Sequence, residues 1–302
     1  MTRHHTVLVT GATGTTGSRI VARLAADGHT AVAASRHASL PPGAARAVRF
    51  DWYDPAGHGA ALHGLDRAYL VPPVGDPDPA AVMLPFLRQA RAAGVRRAVL
   101  LGSSAIPAGG PGVGQVHAAL PGLFDEWAVL QPSWFMQNFT GDHLHAKSIR
   151  SEGVIRTATG TGRVGFVDAG DIAAVAARLL THASAPPATG LVLTGPQALS
   201  HDEVATLFTE ATGRPVRHLS LTPAPLRARL ATALPEAFAD LLTELDRAIA
   251  AGAEDRVTDT VERITGRPPR ALRDVVEEWA SSPSAAAPGN PLGARKCPVD
   301  HA

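Results

Sequence analysis

From Val7 to Arg36 the chain reads VLVTGATGTTGSRIVARLAADGHTAVAASR. An apolar run breaks into three glycines, a stretch follows in which Ile20, Val21 and Leu24 share one helical face, and a second apolar run closes the segment. That pattern predicts a strand, a tight turn, a helix and a strand. Short strands are predicted over 47–50 and 65–71, the second closed by Pro72 and Pro73. From Pro79 to Gly94, Val82, Phe86, Leu87 and Ala90 recur at helical spacing, and Gly94 ends that helix. RRAVLLGSSA is the next strand, a helix begins near Gln115, and WAVLQPSWFMQNF is a further strand. Strand and helix alternating in this way predict an α/β fold, a Rossmann-type doubly wound parallel sheet.

The second half of the chain carries a smaller α/β lobe. GLVLTGPQALSHDEVATLFTEATG reads as a strand, a loop and a helix. Ser200 with Glu203 three residues on forms a capping box for that helix. Leu226 to Ala250 is predicted helical up to Gly252. We therefore expect a core over about 1–140, a substrate lobe over about 141–280 and a disordered tail over 281–302, where four prolines and no aromatic residue offer nothing to bury.

Composition narrows the function. The 302 residues are 45% hydrophobic and 18% charged, and 28 basic against 27 acidic side chains leave a net charge of +1. Phosphate-backbone binding needs a concentrated basic face, so no nucleic-acid partner is expected. The N-terminus runs straight into the first strand without a secretory signal, and no apolar run has the length of a membrane span. A cytoplasmic protein with a small-molecule substrate and no membrane partner is expected. Cys297 is the one cysteine, and Cys297 with His301 falls short of a metal-ligand set, so no metal is expected.

The chemistry centres on the glycine turn. Gly11, Gly14 and Gly17 are spaced G-x-x-G-x-x-G between a strand and a helix. There the backbone turns at Gly11, a pyrophosphate approaches near Gly14, and the helix packs on the sheet at Gly17. Thr13, Thr15, Thr16 and Ser18 add hydroxyls beside the helix N-terminus, where unpaired N–H groups and the helix dipole favour a phosphate. At the end of the second strand an acidic residue would select NAD, but Ser35 and Arg36 stand there. A guanidinium nineteen residues past Gly17 can pair with a 2′-phosphate, so NADP(H) is expected over NAD(H); the other reading of Arg36 is a solvated charge. Asp51 and Trp52 either meet the adenine or serve as a cap and a core residue. Val71, Pro72 and Pro73 would flank the cofactor's centre, and Ser103 its nicotinamide end. Trp134, Phe135 and Phe166 are the candidates for lining a substrate pocket.

The chain resembles the NmrA-like branch of atypical short-chain dehydrogenases, and within it the festuclavine and agroclavine dehydrogenase group. The resemblance covers roughly residues 6–280. It rests on VTGATGTTG with Ser35-Arg36, FDWYDP, AYLVPP, AGVRRAVLLGSSA, LQPSWFMQNF, GFVDAGDIAAVA, and LTGPQALSHDEVA with GRPVRHL. It implies a Rossmann core, NADP(H) or NAD(H) at the glycine turn, and a substrate pocket between core and lobe. It implies too that in GRVGFVDAGDIAAVAARLL a strand returns to the core and Asp171 caps a helix, and that Val257 to Trp279 form a closing helix and turn. The Tyr-x-x-x-Lys pair of the wider superfamily is missing. Four residues past Tyr53 and Tyr69 stand Gly57 and Pro73, and the lysines are Lys147 and Lys296. Ketone reduction through a tyrosine acid thus loses its support, while hydride transfer to an iminium carbon needs no acid. A quinone or enone polarised by Ser103 or His117 is a further acceptor. The family also contains regulators that bind NAD(P), so a non-enzymatic sensor is the alternative class.

Overall fold

The computed structural model describes residues 4–282. The expected tail over 281–302, with Cys297 and His301, lies outside the described residues except for Ser281 and Ser282, which close the last helix. Seven parallel strands form the sheet: β1 (Thr6–Thr10), β2 (Thr30–Ser35), β3 (Arg46–Arg49), β4 (Arg67–Leu70), β5 (Arg97–Leu101), β6 (Glu126–Pro132) and, after two lobe strands, β9 (Gly190–Leu193). Their order is β3-β2-β1-β4-β5-β6-β9. In register, Leu8 lies between Val32 and Ala68. The chain winds outward in both directions from the β1/β4 boundary, so a crevice opens there at the carboxyl ends of the strands.

Helices cover both faces, which is why the strands read as unbroken apolar runs. The two-residue period of β1 sends Val7 and Val9 to one face and Leu8 to the other. On the first face α1 (Gly17–Ala26) buries Ile20, Val21 and Leu24, beside α7 (Ala169–Thr181) and α11 (Thr260–Thr265). On the second face α2 (His58–Ala61), α3 (Ala80–Ala92) and α4 (Val113–Ala119) pack Met83, Phe86, Leu87 and Val116 on Leu8, Leu70 and Leu100. Arg97 is buried and holds the end of α7 on the sheet. It donates to the carbonyls of Leu179 and His182 at 2.8 and 2.7 Å, and it pairs with Glu126.

The lobe is built from α5 (Gln137–Thr140), α6 (Leu144–Glu152), β7 (Val154–Thr157), β8 (Arg163–Val164), β10 (Leu199–Ser200), α8 (His201–Thr212), β11 (Arg217–Ser220), α9 (Pro223–Leu230), α10 (Glu236–Ala250) and α12 (Leu272–Ala280). Its own core gathers Met136, Phe139, Ile155, Phe166, Phe208, Val276 and Trp279. Several expectations need correction. The stretch from residue 141 does not stay in the lobe, because β9 hydrogen-bonds to β6 and α7 packs against α1. The strand through LQPSWFMQNF stops at Pro132, and the chain turns into α5 after a single bridge from Phe135 to Val167. Residues 226–250 make two helices, because Pro235 adopts an extended conformation and restarts the chain. The cap of α7 is Asp168, whose Oδ1 accepts from the Gly170 N–H, rather than Asp171. Asp171 lies buried in the first turn and accepts from the Arg270 N–H at 2.7 Å. The Ser200–Glu203 capping box is present as expected.

Candidate functional site

The glycine turn joins β1 to α1 at the mouth of the crevice. Gly11 has φ +60, which disfavours any side chain, and the Gly14 N–H donates to its carbonyl at 2.9 Å. A Cβ on Gly17 would sit 2.2 Å from the Gly11 oxygen, so only glycine lets α1 start this close to the turn. Gly14 is exposed, and a Cβ there would meet only the Gly11 oxygen, at 3.2 Å. Among the described residues no side chain caps α1, and its first turn holds no acidic residue. An uncapped helix start, a bare glycine in front of it and room above it fit a dinucleotide pyrophosphate.

The hydroxyls divide. Thr13 and Thr15 face outward. Thr16 is buried and accepts from the Tyr69 hydroxyl at 3.2 Å, and the Ser18 hydroxyl donates to the Gly14 carbonyl at 2.8 Å. These last two brace the turn from inside. Thr10 clamps the neighbouring strand, since its Oγ1 accepts from the Val71 N–H at 2.7 Å. Val71 reaches the turn in return, 3.3 Å from where a Gly11 Cβ would stand.

The ends of β2 to β5 continue the crevice. Ser35 is buried with its Oγ accepting from the Ser39 N–H at 3.1 Å. Arg36 is exposed and makes no ion pair or side-chain hydrogen bond among the described residues. Ala38 in this turn has φ 48, a strained conformation for alanine that holds the Arg36 loop in a tight bend. Asp51 follows β3, and its Oδ1 accepts from the Tyr53 N–H at 3.0 Å. Trp52 is a core residue. Its ring lies edge-on to Phe50 and Phe86, with centroids 4.8 and 5.3 Å away, and its indole N–H donates to the Val71 carbonyl at 3.0 Å. Trp52 is 9% exposed, so little of its ring is left to meet an adenine. Pro72 and Pro73 are half-buried beyond β4, and Ser103 stands past β5 with its Oγ accepting from the Ala105 N–H.

The aromatic candidates separate in the same way. Phe166 is 1% exposed and edge-on to Phe139, so it belongs to the lobe core and lines no pocket. Trp134 and Phe135 are half-buried, each at the margin of a core. His117 is buried in α4 against Trp127, ring centroids 6.0 Å apart, and burial lowers its pKa. Its ring also stands next to Gly190, 3.1 Å from where a Cβ there would lie.

Neither tyrosine is placed as an acid. Tyr53 donates to Asp76 at 2.5 Å, and that bond raises its pKa to about 12. Tyr69 is fully buried, and desolvation raises its pKa further. Two features escaped the sequence. One is Glu254, buried at the ends of β5 and β6 where it accepts from the Ser104 and Ser133 hydroxyls. The other is a run of four histidines, His143, His145, His201 and His218, inside the lobe. Among the described residues no group of His, Cys, Asp and Glu is arranged to hold a metal ion, and no helix is long and apolar enough to cross a membrane.

A groove of about 880 Å³ also runs along α1, α7 and α12, lined by Arg19, Arg23, Asp168, Arg270 and Trp279. It lies on the helical flank, away from the ends of β3, β4 and β5.

Known proteins agree with this architecture. Residues 11–123 match the NAD(P)H-binding family model. The uncharacterized oxidoreductase YesF of Bacillus subtilis is 43% identical over 282 residues, covering 93% of this chain and 97% of that protein. Festuclavine synthase II of Penicillium roqueforti is 36% identical over 289 residues, covering 91% of this chain and 100% of that protein. The NADPH-dependent quinone oxidoreductase QOR2 of Escherichia coli, solved with NADPH, superposes with a TM-score of 0.74 at 23% identity, over 90% of this chain and 99% of that one. This chain belongs to the NAD(P)H-binding oxidoreductase family that holds the festuclavine and agroclavine dehydrogenases.

Proposed function

We propose that the crevice binds NADP(H) in preference to NAD(H) and that the chain transfers a hydride to a small cyclic iminium. Gly11, Thr13, Gly14, Thr15 and Gly17 would hold the pyrophosphate, Arg36 the 2′-phosphate, and Asp51 the adenine amino group. Val71, Pro72 and Pro73 would wall the centre, with Ser103 at the nicotinamide end and Trp134 and Phe135 toward the substrate. When bound, the dinucleotide supplies the hydride; the chain supplies orientation and exclusion of water. The observation that carries this reading is the state of the tyrosines. One is locked on Asp76 and one is sealed in the core, so an acceptor that needs no proton suits the site best.

Two measurements test the proposal. NADPH oxidation against a cyclic iminium, a quinone and an enone should be fastest with the iminium, and its product should carry no solvent-derived hydrogen on the reduced carbon. Turnover confined to the quinone or the enone rejects the iminium. For the cofactor, Arg36→Ala should weaken NADP(H) by about tenfold, the discount for an exposed contact included, and change NAD(H) much less. Added salt should weaken wild-type NADPH binding more than NADH binding. Equal losses for both dinucleotides would remove the 2′-phosphate role from Arg36.

A further inference from the structure

Between α10 and α11 the chain crosses the carboxyl ends of β5, β6 and β9 as a strap. Arg256 Nη2 donates to the Ser104 carbonyl at 3.2 Å, and the Thr258 N–H donates to Thr194 Oγ1 at 2.9 Å. The Thr258 hydroxyl donates to the Val192 carbonyl, also at 2.9 Å. Gly165 admits the strap, because a Cβ there would lie 2.5 Å from the Arg256 oxygen. The strap sets Glu254 down on the strand ends with its side chain 4% exposed. Its Oε2 accepts from Ser104 Oγ at 2.8 Å and from Ser133 Oγ at 3.4 Å. Arg256 approaches Oε1 at 3.3 Å, but that guanidinium is 41% exposed and partly screened by water.

Burying a carboxylate is costly, and the partners of this one are two hydroxyls and one half-solvated arginine that donates to Oε1. Ser104 and Ser133 stand beside Ser103, on the side of the sheet where ligands of open α/β folds bind. Each donates its hydroxyl hydrogen bond to Glu254, so each has only lone pairs left for its other neighbours. Hydroxyls committed to a buried carboxylate are electron-rich, the reverse of an oxyanion hole.

We propose that Glu254 is a positioning residue that makes the acceptor site selective for cations, acting through Ser104 and Ser133. This rests on the hydride-transfer reading and names the charge its substrate must carry. In the step, the iminium carbon takes up hydride with its electron pair, and the C=N π pair retires to nitrogen. The reduced nicotinamide is oxidised, and no proton moves. The acceptor's positive charge vanishes as hydride arrives, so the attraction is greater in the ground state than in the transition state. Glu254 therefore lowers KM at some expense of kcat. A quinone, which gains negative charge at oxygen, is disfavoured by the same field.

The test separates charge from chemistry. Calorimetry on the NADP⁺ complex compares a quaternary N,N-dimethyl tetrahydroisoquinolinium salt, which has no C=N bond to reduce, with isochroman, its uncharged oxygen counterpart. The wild type should prefer the cation, and Glu254→Gln should weaken it about tenfold with isochroman and NADP⁺ affinities unchanged. Glu254→Asp, which keeps the charge, should restore most of the preference. In kinetics Glu254→Gln should raise KM and kcat together for an iminium, and accelerate a quinone. Equal losses for cation and isochroman, or a wild type that does not prefer the cation, overturn the proposal; the second outcome needs no variant to fold. A wild type that prefers the cation yet reduces no iminium would reject the hydride-transfer reading and leave the charge selectivity standing.

Discussion

Gly14→Asp should give a folded protein that has lost NADP(H) binding, whereas Gly17→Ala should fail to accumulate in folded form. The two glycines are three residues apart and do different things. Gly14 is exposed, and an added Cβ meets one oxygen at 3.2 Å, so a side chain fits after a shift of a few tenths of an ångström. A carboxylate there is even favourable to the α1 dipole. What it excludes is a second anion, since it fills and neutralises the helix start that the pyrophosphate would use. The expected loss is on the order of a hundredfold in affinity, about 3 kcal/mol, with a melting temperature close to that of the wild type. At Gly17 an added Cβ meets the Gly11 oxygen at 2.2 Å, the Gly11 carbon at 2.8 Å and the Ala12 Cα at 2.9 Å. All three are backbone atoms, so α1 must lift from the sheet and pull Ile20, Val21 and Leu24 out of the core. Overpacking costs about 1–3 kcal/mol where side chains can yield, and more where only backbone can move. Circular dichroism melts and NADPH calorimetry read both effects. Wild-type NADPH affinity in a folded Gly14→Asp protein would remove the pyrophosphate from this turn.

The glycine turn was legible because its signal is local: a period change, three glycines and a helix start within a dozen residues. The parallel sheet was legible for the same reason, since each strand-helix unit announces itself. What the pattern could not show is which neighbour an apolar residue meets. Phe166 reads the same as pocket wall or lobe core, and the structure places it against Phe139. Trp52 follows a strand end facing the crevice, but Phe50, His58 and Phe86 surround its ring. The return of β9 to the sheet depends on pairing with β6, which no local period records. Glu254 is further out of reach. It sits in AGAEDRVTD, which reads as a solvated loop, and its partner Ser104 lies 150 residues earlier. The four histidines stand at positions 143, 145, 201 and 218 of the chain. They meet because α6, α8 and β11 converge, with His143 capping α6 and His145 inside it.

That convergence makes the lobe sensitive to acid. His145 lies between His143 and His201, with ring centroids 5.1 and 6.1 Å away, and His201 lies 5.5 Å from His218. Thr159 Oγ1 meets His201 Nδ1 at 3.0 Å, and Thr157 Oγ1 meets His218 Nε2 at 2.8 Å. Asp202 faces His218 from α8 at 3.3 Å, Phe139 and Phe166 pack on His201, and Lys147 and Asp142 stand near His143. Burial pushes His201 from 6.5 down to about 3 and lowers His145 and His143 as well. The folded state refuses protons that the unfolded chain accepts below about pH 6.5. The stability these neutral rings contribute is therefore complete above that value and is lost as pH falls toward their folded pKa values. Each resisting group contributes about 1.4 kcal/mol per pH unit in that window. Asp246 opposes them. Desolvation raises its pKa to about 6 while its Oδ2 accepts from the Ala158 N–H, so the folded state takes up this proton first as pH falls. Its contribution is present at low pH and is lost as pH rises through about 6, offsetting roughly one histidine. The urea midpoint should therefore fall steeply between about pH 6 and 4. His201→Asn keeps an acceptor near Thr159 and should flatten the slope by about one proton, at some cost in stability at neutral pH. Asp246→Asn should do the opposite, raising the midpoint at pH above about 6 and steepening its fall below, since the buried charge and its offset both disappear. A midpoint flat across this window, or a wild-type slope in His201→Asn, would mean that water reaches the histidines and that they titrate alike in both states.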